Sequence, residues 1–120
     1  MNMLNQIILE GKVIEKCRVT QDSKGAQTGS ITVATERYYK DAEGNNVTEV
    51  SYFDVIVAGG LVPVAVKLET GRVLRIVGRL KMLDYREDGR LKSKIVVIAE
   101  HIEVKPDFKK GVMNEGKNKD

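Results

Sequence analysis

The sequence predicts an all-β domain: a five-stranded barrel with one short helix between the third and fourth strands. Three observations carry this. Five stretches are rich in β-branched residues or alternate apolar with polar ones, glycine-containing turns separate them, and only Leu61 to Leu68 repeats apolar residues at helical spacing. The 120 residues suffice for one domain and its core. No internal repeat or linker divides them.

The first strand runs from Ile7 to Lys16, with Gly11 in its middle. A glycine inside a strand signals a bulge or sharp bend. A small barrel needs such a bend so that a long first strand can pair on both sides. Gln21-Asp22-Ser23-Lys24-Gly25 is a turn. Ser30 to Glu36 is the second strand, with Ile31 and Val33 on one face and Thr32 and Ala34 on the other. Asp41 to Asn46 is a hairpin tip, and Thr48 to Ala58 is the third strand. Phe53, Val55 and Val57 share its inward face, while Tyr52, Asp54 and Ile56 share the other. After Gly59-Gly60, Leu61, Val64, Ala65 and Leu68 form the apolar stripe of a short helix. Pro63 falls in its first turn, where a missing N–H costs little, and Gly71 stands where a C-terminal cap belongs. Arg72 to Leu83 is the fourth strand, Arg86 to Arg90 a hairpin turn, and Lys92 to Val104 the fifth strand. The domain is thus expected over residues 1–104. Residues 105–120 are polar, with little apolar content beyond Val112 and Met113, and are expected to be a disordered tail. Three strands, a helix and two strands is the OB-fold layout.

Composition excludes several classes. Hydrophobic residues make up 42% and charged residues 31% of the chain, the balance of a soluble globular domain. No apolar run approaches the roughly 20 residues of a spanning helix. The N-terminus lacks the basic flank and apolar stretch of a secretory signal, so a cytoplasmic protein is expected. The single cysteine, Cys17, excludes an intramolecular disulfide and a metal site built on cysteine pairs. The one histidine, His101, lies on a strand with no serine or cysteine motif beside it, and no phosphate loop is present. The expectation is a binding protein that is not an enzyme and uses neither cofactor nor metal.

Charge and rings point to what is bound. Net charge is only +3, but Lys67 to Lys94 holds nine basic residues against four acidic ones. That segment is +5 and the remainder −2, the kind of concentration that phosphate binding needs. The chain has four tyrosines, two phenylalanines and no tryptophan. Tyr38 and Tyr39 end the second strand, Tyr52 lies opposite the inward face of the third, and Tyr85 opens the last hairpin with the strand parity of Arg79 and Lys81. Bases stack on exposed rings while neighbouring cations hold phosphates. Tyr39 with Arg37 and Lys40, and Tyr85 with Arg86, Arg90 and Lys92, supply that interleaving.

Four stretches, in this order and spacing, carry a resemblance: Asn5 to Val13, Ile31 to Glu36, Thr48 to Val57, and Gly71 to Leu80. Over roughly residues 3–104 the chain resembles the bacterial single-stranded-DNA-binding protein family. The resemblance implies an OB-fold, assembled as a homotetramer, that coats single-stranded DNA during replication, recombination and repair. It implies base stacking at Tyr39, Tyr52 and Tyr85, where tyrosine replaces the more usual tryptophan, with Lys81 and nearby Arg79 as basic contacts. Three departures stand out. Ala58 replaces a further aromatic, Asp54 and Asp84 add negative charge near the site, and Gly116 to Asp120 holds neither an acidic cluster nor a terminal aromatic. Reduced or absent recruitment of replication and repair enzymes through such a tip is expected, as in a truncated, accessory or mobile-element-encoded member. An OB-fold acting on RNA, or as a primosome-type adaptor, is the alternative.

Overall fold

One strand serves two neighbours. In the computed structural model, which describes residues 1–106, β1 (Ile7–Gln21) pairs antiparallel with β4 (Val73–Glu87) through Ile7 to Lys12. From Lys12 to Gln21 it pairs with β2 (Gln27–Lys40). Gly11 sits just before the handover. A side chain there would meet the backbone oxygen of Ala34 at 2.9 Å, so the glycine permits β1 and β2 to approach. The register stays regular through Gly11. The irregularities come later, at Ile14 and at Lys16-Cys17, where extra β1 residues have no direct partner on β2. Of the bulge or bend expected at Gly11, the pairing of β1 on both sides is present; Gly11 itself is a close approach, and the bulges lie downstream of it.

Closure follows in the order β1-β2-β3-β5-β4, with β3 (Asn46–Ala58) and β5 (Arg90–Val104) as the remaining strands. β3 meets β5 in a brief parallel contact at Val55–Val97 and Ile56–Ile98. All other pairings are antiparallel. The chain is an all-β OB-fold with, among the described residues, one helix, α1 (Leu61–Val66), between β3 and β4.

The core is aliphatic. Val13, Ile31, Val33, Val55, Val57, Leu74, Ile76 and Val97 are essentially inaccessible to solvent. Burying each such side chain is worth about 1.5–3 kcal/mol. Ile31 and Val33 share the buried face of β2 as expected, and Leu74 and Ile76 share that of β4. Phe53 is not part of this core: it keeps the parity of Val55 but lies two residues before the β3–β5 pairing at Val55 and is 36% exposed.

α1 packs against the barrel core with Val62 and Ala65, joined by Leu68 just beyond the helix, while Val64 is exposed. The expected stripe exchanged Val64 for Val62 because nearly every residue of this short helix is apolar. Gly71 is not the helix cap. The helix ends at Lys67, whose N–H reaches the Val64 and Ala65 carbonyls. Gly71 lies four residues on, at φ +98°, and its N–H donates to the Val13 carbonyl at 2.8 Å. It turns the chain into β4.

The strands outrun the expected ends: β1 by five residues, to Gln21, and β2 by four, to Lys40. β2 begins at Gln27, β3 at Asn46 and β5 at Arg90, and β4 starts at Val73 and continues to Glu87. The β4–β5 turn is only Asp88-Gly89, both at positive φ, with Glu87 opposite Arg90. This is the mirror-image turn whose twist suits a two-residue hairpin. Two ribbons, β2–β3 and β4–β5, thus extend past the barrel as arms. At the base of the second, Asn5 pairs with Leu80 as a strand would: its Nδ2 donates to the Leu80 carbonyl at 2.9 Å and its Oδ1 accepts from the Leu80 N–H at 3.0 Å. Of the tail expected over 105–120, residues 107–120 lie outside the described residues.

Candidate nucleic-acid interface

Residues directly opposite each other in an antiparallel ladder project to the same face. The β2–β3 register is unbroken, with Tyr52 opposite Ala34 and Tyr38 opposite Thr48. Tyr38, Lys40 and Tyr52 therefore share the face that is outward in the barrel. Tyr39 lies opposite Val47 and Arg37 opposite Glu49, so both have the parity of Phe53 and project to the other face. The two expected stacking rings of this arm stand on opposite sides of it.

The second arm sorts likewise. Arg79, Lys81 and Tyr85 have the outward parity of their partners Ile98, Val96 and Lys92. Arg90, opposite Glu87, joins them. Arg86, opposite Leu91, projects to the other face. The outer face thus gathers Lys40, Tyr52, Arg79, Lys81, Tyr85, Arg90 and Lys92. Arg37, Tyr39 and Arg86 lie on the reverse of their arms.

All four tyrosines are exposed. Tyr38 is the most open at 69%, Tyr52 follows at 65%, and Tyr39 and Tyr85 are each at 39%. The last two carry cations. The Arg37 guanidinium lies 4.6 Å from the Tyr39 ring centre, and the Lys94 ammonium 5.8 Å from that of Tyr85. Such contacts are favourable by about 0.5–1 kcal/mol at exposed sites. Tyr38 donates its hydroxyl to Glu36 at 2.6 Å, and that bond raises the phenol's pKa above its ordinary value.

Carboxylates hold several of these cations. Arg37 meets Glu49 at 3.3 Å, Lys92 meets Glu87 at 2.8 Å, Lys94 meets Asp54 at 3.3 Å, and Arg79 meets Glu100 at 3.9 Å. One nitrogen of Arg79, Nη1, is buried without a hydrogen-bond partner among the described residues. Among the same residues, Lys40, Lys81, Arg86 and Arg90 form no ion pair. The +5 segment is also divided along β4. Arg72 donates to the Lys105 carbonyl at 2.9 Å, and Arg75 pairs with Glu10 at 2.7 Å and Glu103 at 3.5 Å, far along the strand from Tyr85. Lys94 is the residue that sequence reasoning left out of the site. It contacts Tyr85, nine positions before it, and Asp54, forty before it, through the β4–β5 and β3–β5 adjacencies.

Residues 4–105 match the model of the "Single-strand binding protein family". The chain belongs to this family. It is 28% identical over 101 residues to the single-stranded DNA-binding protein of Aquifex aeolicus, covering 83% of this chain and 69% of that protein. Its identity to the Wolinella succinogenes protein of the same name is 29% over 104 residues, covering 85% of this chain and 64% of the relative. The crystal structure of wild-type single-stranded DNA binding protein from Thermus aquaticus superposes with a TM-score of 0.74 at 25% identity, covering 87% of this chain and 51% of that one. The Plasmodium falciparum SSB complex with ssDNA reaches a TM-score of 0.78 at 17% identity, covering 88% and 98%, a likeness of fold. This chain therefore spans about half the Thermus chain and about two thirds of the two sequence relatives.

Proposed function

We propose that this protein binds single-stranded DNA without sequence preference, as a homotetramer serving replication, recombination or repair, and catalyses no reaction. The observation that carries the reading is the pair of arms. Their four tyrosines lie outside the core and are exposed, and two of them, Tyr39 and Tyr85, have cations over their rings. Tyr52 and Tyr85 stack bases on the outer face, and Lys40, Arg79, Lys81, Arg90 and Lys92 hold phosphates there. Tyr39, with Arg37, and Arg86 extend the path around the arm edges to the reverse face. Stacking is sequence-tolerant because every base has a π-face, and cation–phosphate attraction carries no base information. In this reading the protein works in the cytoplasm, on the nucleoid.

The relatives named for single-stranded DNA binding support this reading. A mass measurement of the intact protein with and without a long oligo-dT strand tests it. Four copies per particle and a stable complex are expected, and absence of any complex at low salt contradicts it. The second reading, RNA binding or a primosome-type adaptor, predominates if matched RNA outcompetes DNA, since the 2′-hydroxyl distinguishes the two.

A further inference from the structure

We propose that Lys94 is a further phosphate contact and that Asp54 is a built-in competitor of the DNA backbone for it, which the bound strand must displace. The inference rests on the single-strand reading above. Asp54 Oδ2 lies 3.3 Å from Lys94 Nζ, and its Oδ1 accepts from the Thr32 hydroxyl at 3.4 Å. The carboxylate is thus anchored on the barrel wall, on the face of Tyr52 and two residues after it. Lys94 Nζ is also the cation over the Tyr85 ring, at 5.8 Å. One ion pair therefore stands between the two outer-face rings, where the backbone of a strand stacked on both would pass.

Both partners are about half exposed, so the pair itself contributes little to holding the fold. Its effect is on binding. A phosphate taking Lys94 releases a condensed counterion, but Asp54, left unpaired, takes one up. In the protein as it stands the exchange is nearly neutral in ions, and Lys94 contributes almost nothing to salt dependence. With Asp54 neutral, the same contact is a net release, worth about 0.7 in the slope of log affinity against log salt for a single strand.

The test is oligo-dT affinity across a salt series for wild type, Asp54→Asn, Lys94→Gln and the double variant. Asparagine preserves the acceptor for Thr32, and circular dichroism checks that each variant is folded. Asp54→Asn is expected to bind up to about fivefold more tightly at low salt, as loss of an ion pair of this exposure permits, and to steepen the slope by about 0.7. In the Lys94→Gln background, Asp54→Asn is expected to leave the slope unchanged. Unchanged affinity and slope in Asp54→Asn, with wild type binding normally, overturns the inference while leaving the function intact. So does equal steepening without Lys94, which reduces Asp54 to general charge. Wild type that binds no oligo-dT defeats the functional reading itself.

Discussion

The barrel and its two arms are made from the same strands with the same alternation, yet alternation buries side chains only in the barrel. Ile76 on β4 is fully buried, whereas Ile95 on β5, with the same inward parity but out on the arm, is 63% exposed. In the barrel a second wall and α1 stand opposite the inward face. Along the arms the inward face has no opposing wall, and Leu80, Met82 and Ile95 stay exposed. Parity fixes where a side chain points; what stands opposite decides whether it is buried. A stabilising half and a binding half can therefore be continuous in one strand, and substitutions should separate them.

The largest effect is expected at Gly78. A Cβ there would collide with the backbone carbonyl of Ile98 on β5, and backbone cannot move aside as a side-chain tip can. Gly78→Ala should lower unfolding free energy by about 4 kcal/mol or more, read from denaturant melts. Next comes a matched pair. Ile76→Ala should cost about 2–5 kcal/mol, and Ile95→Ala within about 0.5 kcal/mol of nothing. Equal costs would mean the arm is packed like the barrel and would erase the distinction.

The tyrosines reverse the contrast. Replacing Tyr39, Tyr52 or Tyr85 with Ala should change stability by about 1 kcal/mol or less, the size of the cation–ring contacts at Tyr39 and Tyr85, while each base that loses its ring loses about 1–3 kcal/mol of stacking. The smallest effect is a pH dependence at the barrel. The Arg75 hydrogen bond holds the Glu10 carboxyl below the usual carboxylate range, outweighing the opposing effect of desolvation. A depressed carboxyl stabilises the fold above its unfolded-state pKa, and that contribution is lost as pH falls through the folded value. Wild type should thus lose slightly more thermal stability between neutral and acid pH than Glu10→Gln.

The barrel half was legible because burial leaves a period-two apolar trace, as in Ile31-Val33, Val55-Val57 and Leu74-Ile76. The arms left no such trace. The polar continuations from Arg18 to Gln21 and from Arg37 to Lys40 are strands because a neighbour pairs with them, and that neighbour lies elsewhere in the chain. Phe53 read as core for the complementary reason: its parity was right, but sequence does not mark where the barrel ends. Likewise, a helix apolar at nearly every position cannot say whether Val62 or Val64 faces inward. The tyrosines were found as candidates because rings beside cations need no fold to be noticed. Their division between two faces depended on the register set by the Asp41–Asn45 loop, and Lys94 depended on contacts across three strands.

The central claim is that the arms' rings, and not charge alone, hold a single strand. The most direct measurement is an oligo-dT titration at moderate salt, comparing wild type with the combined Tyr39→Ala, Tyr52→Ala and Tyr85→Ala variant. Most of the affinity should disappear while the melting curve stays in place; a folded triple variant that binds as tightly as wild type would contradict the account.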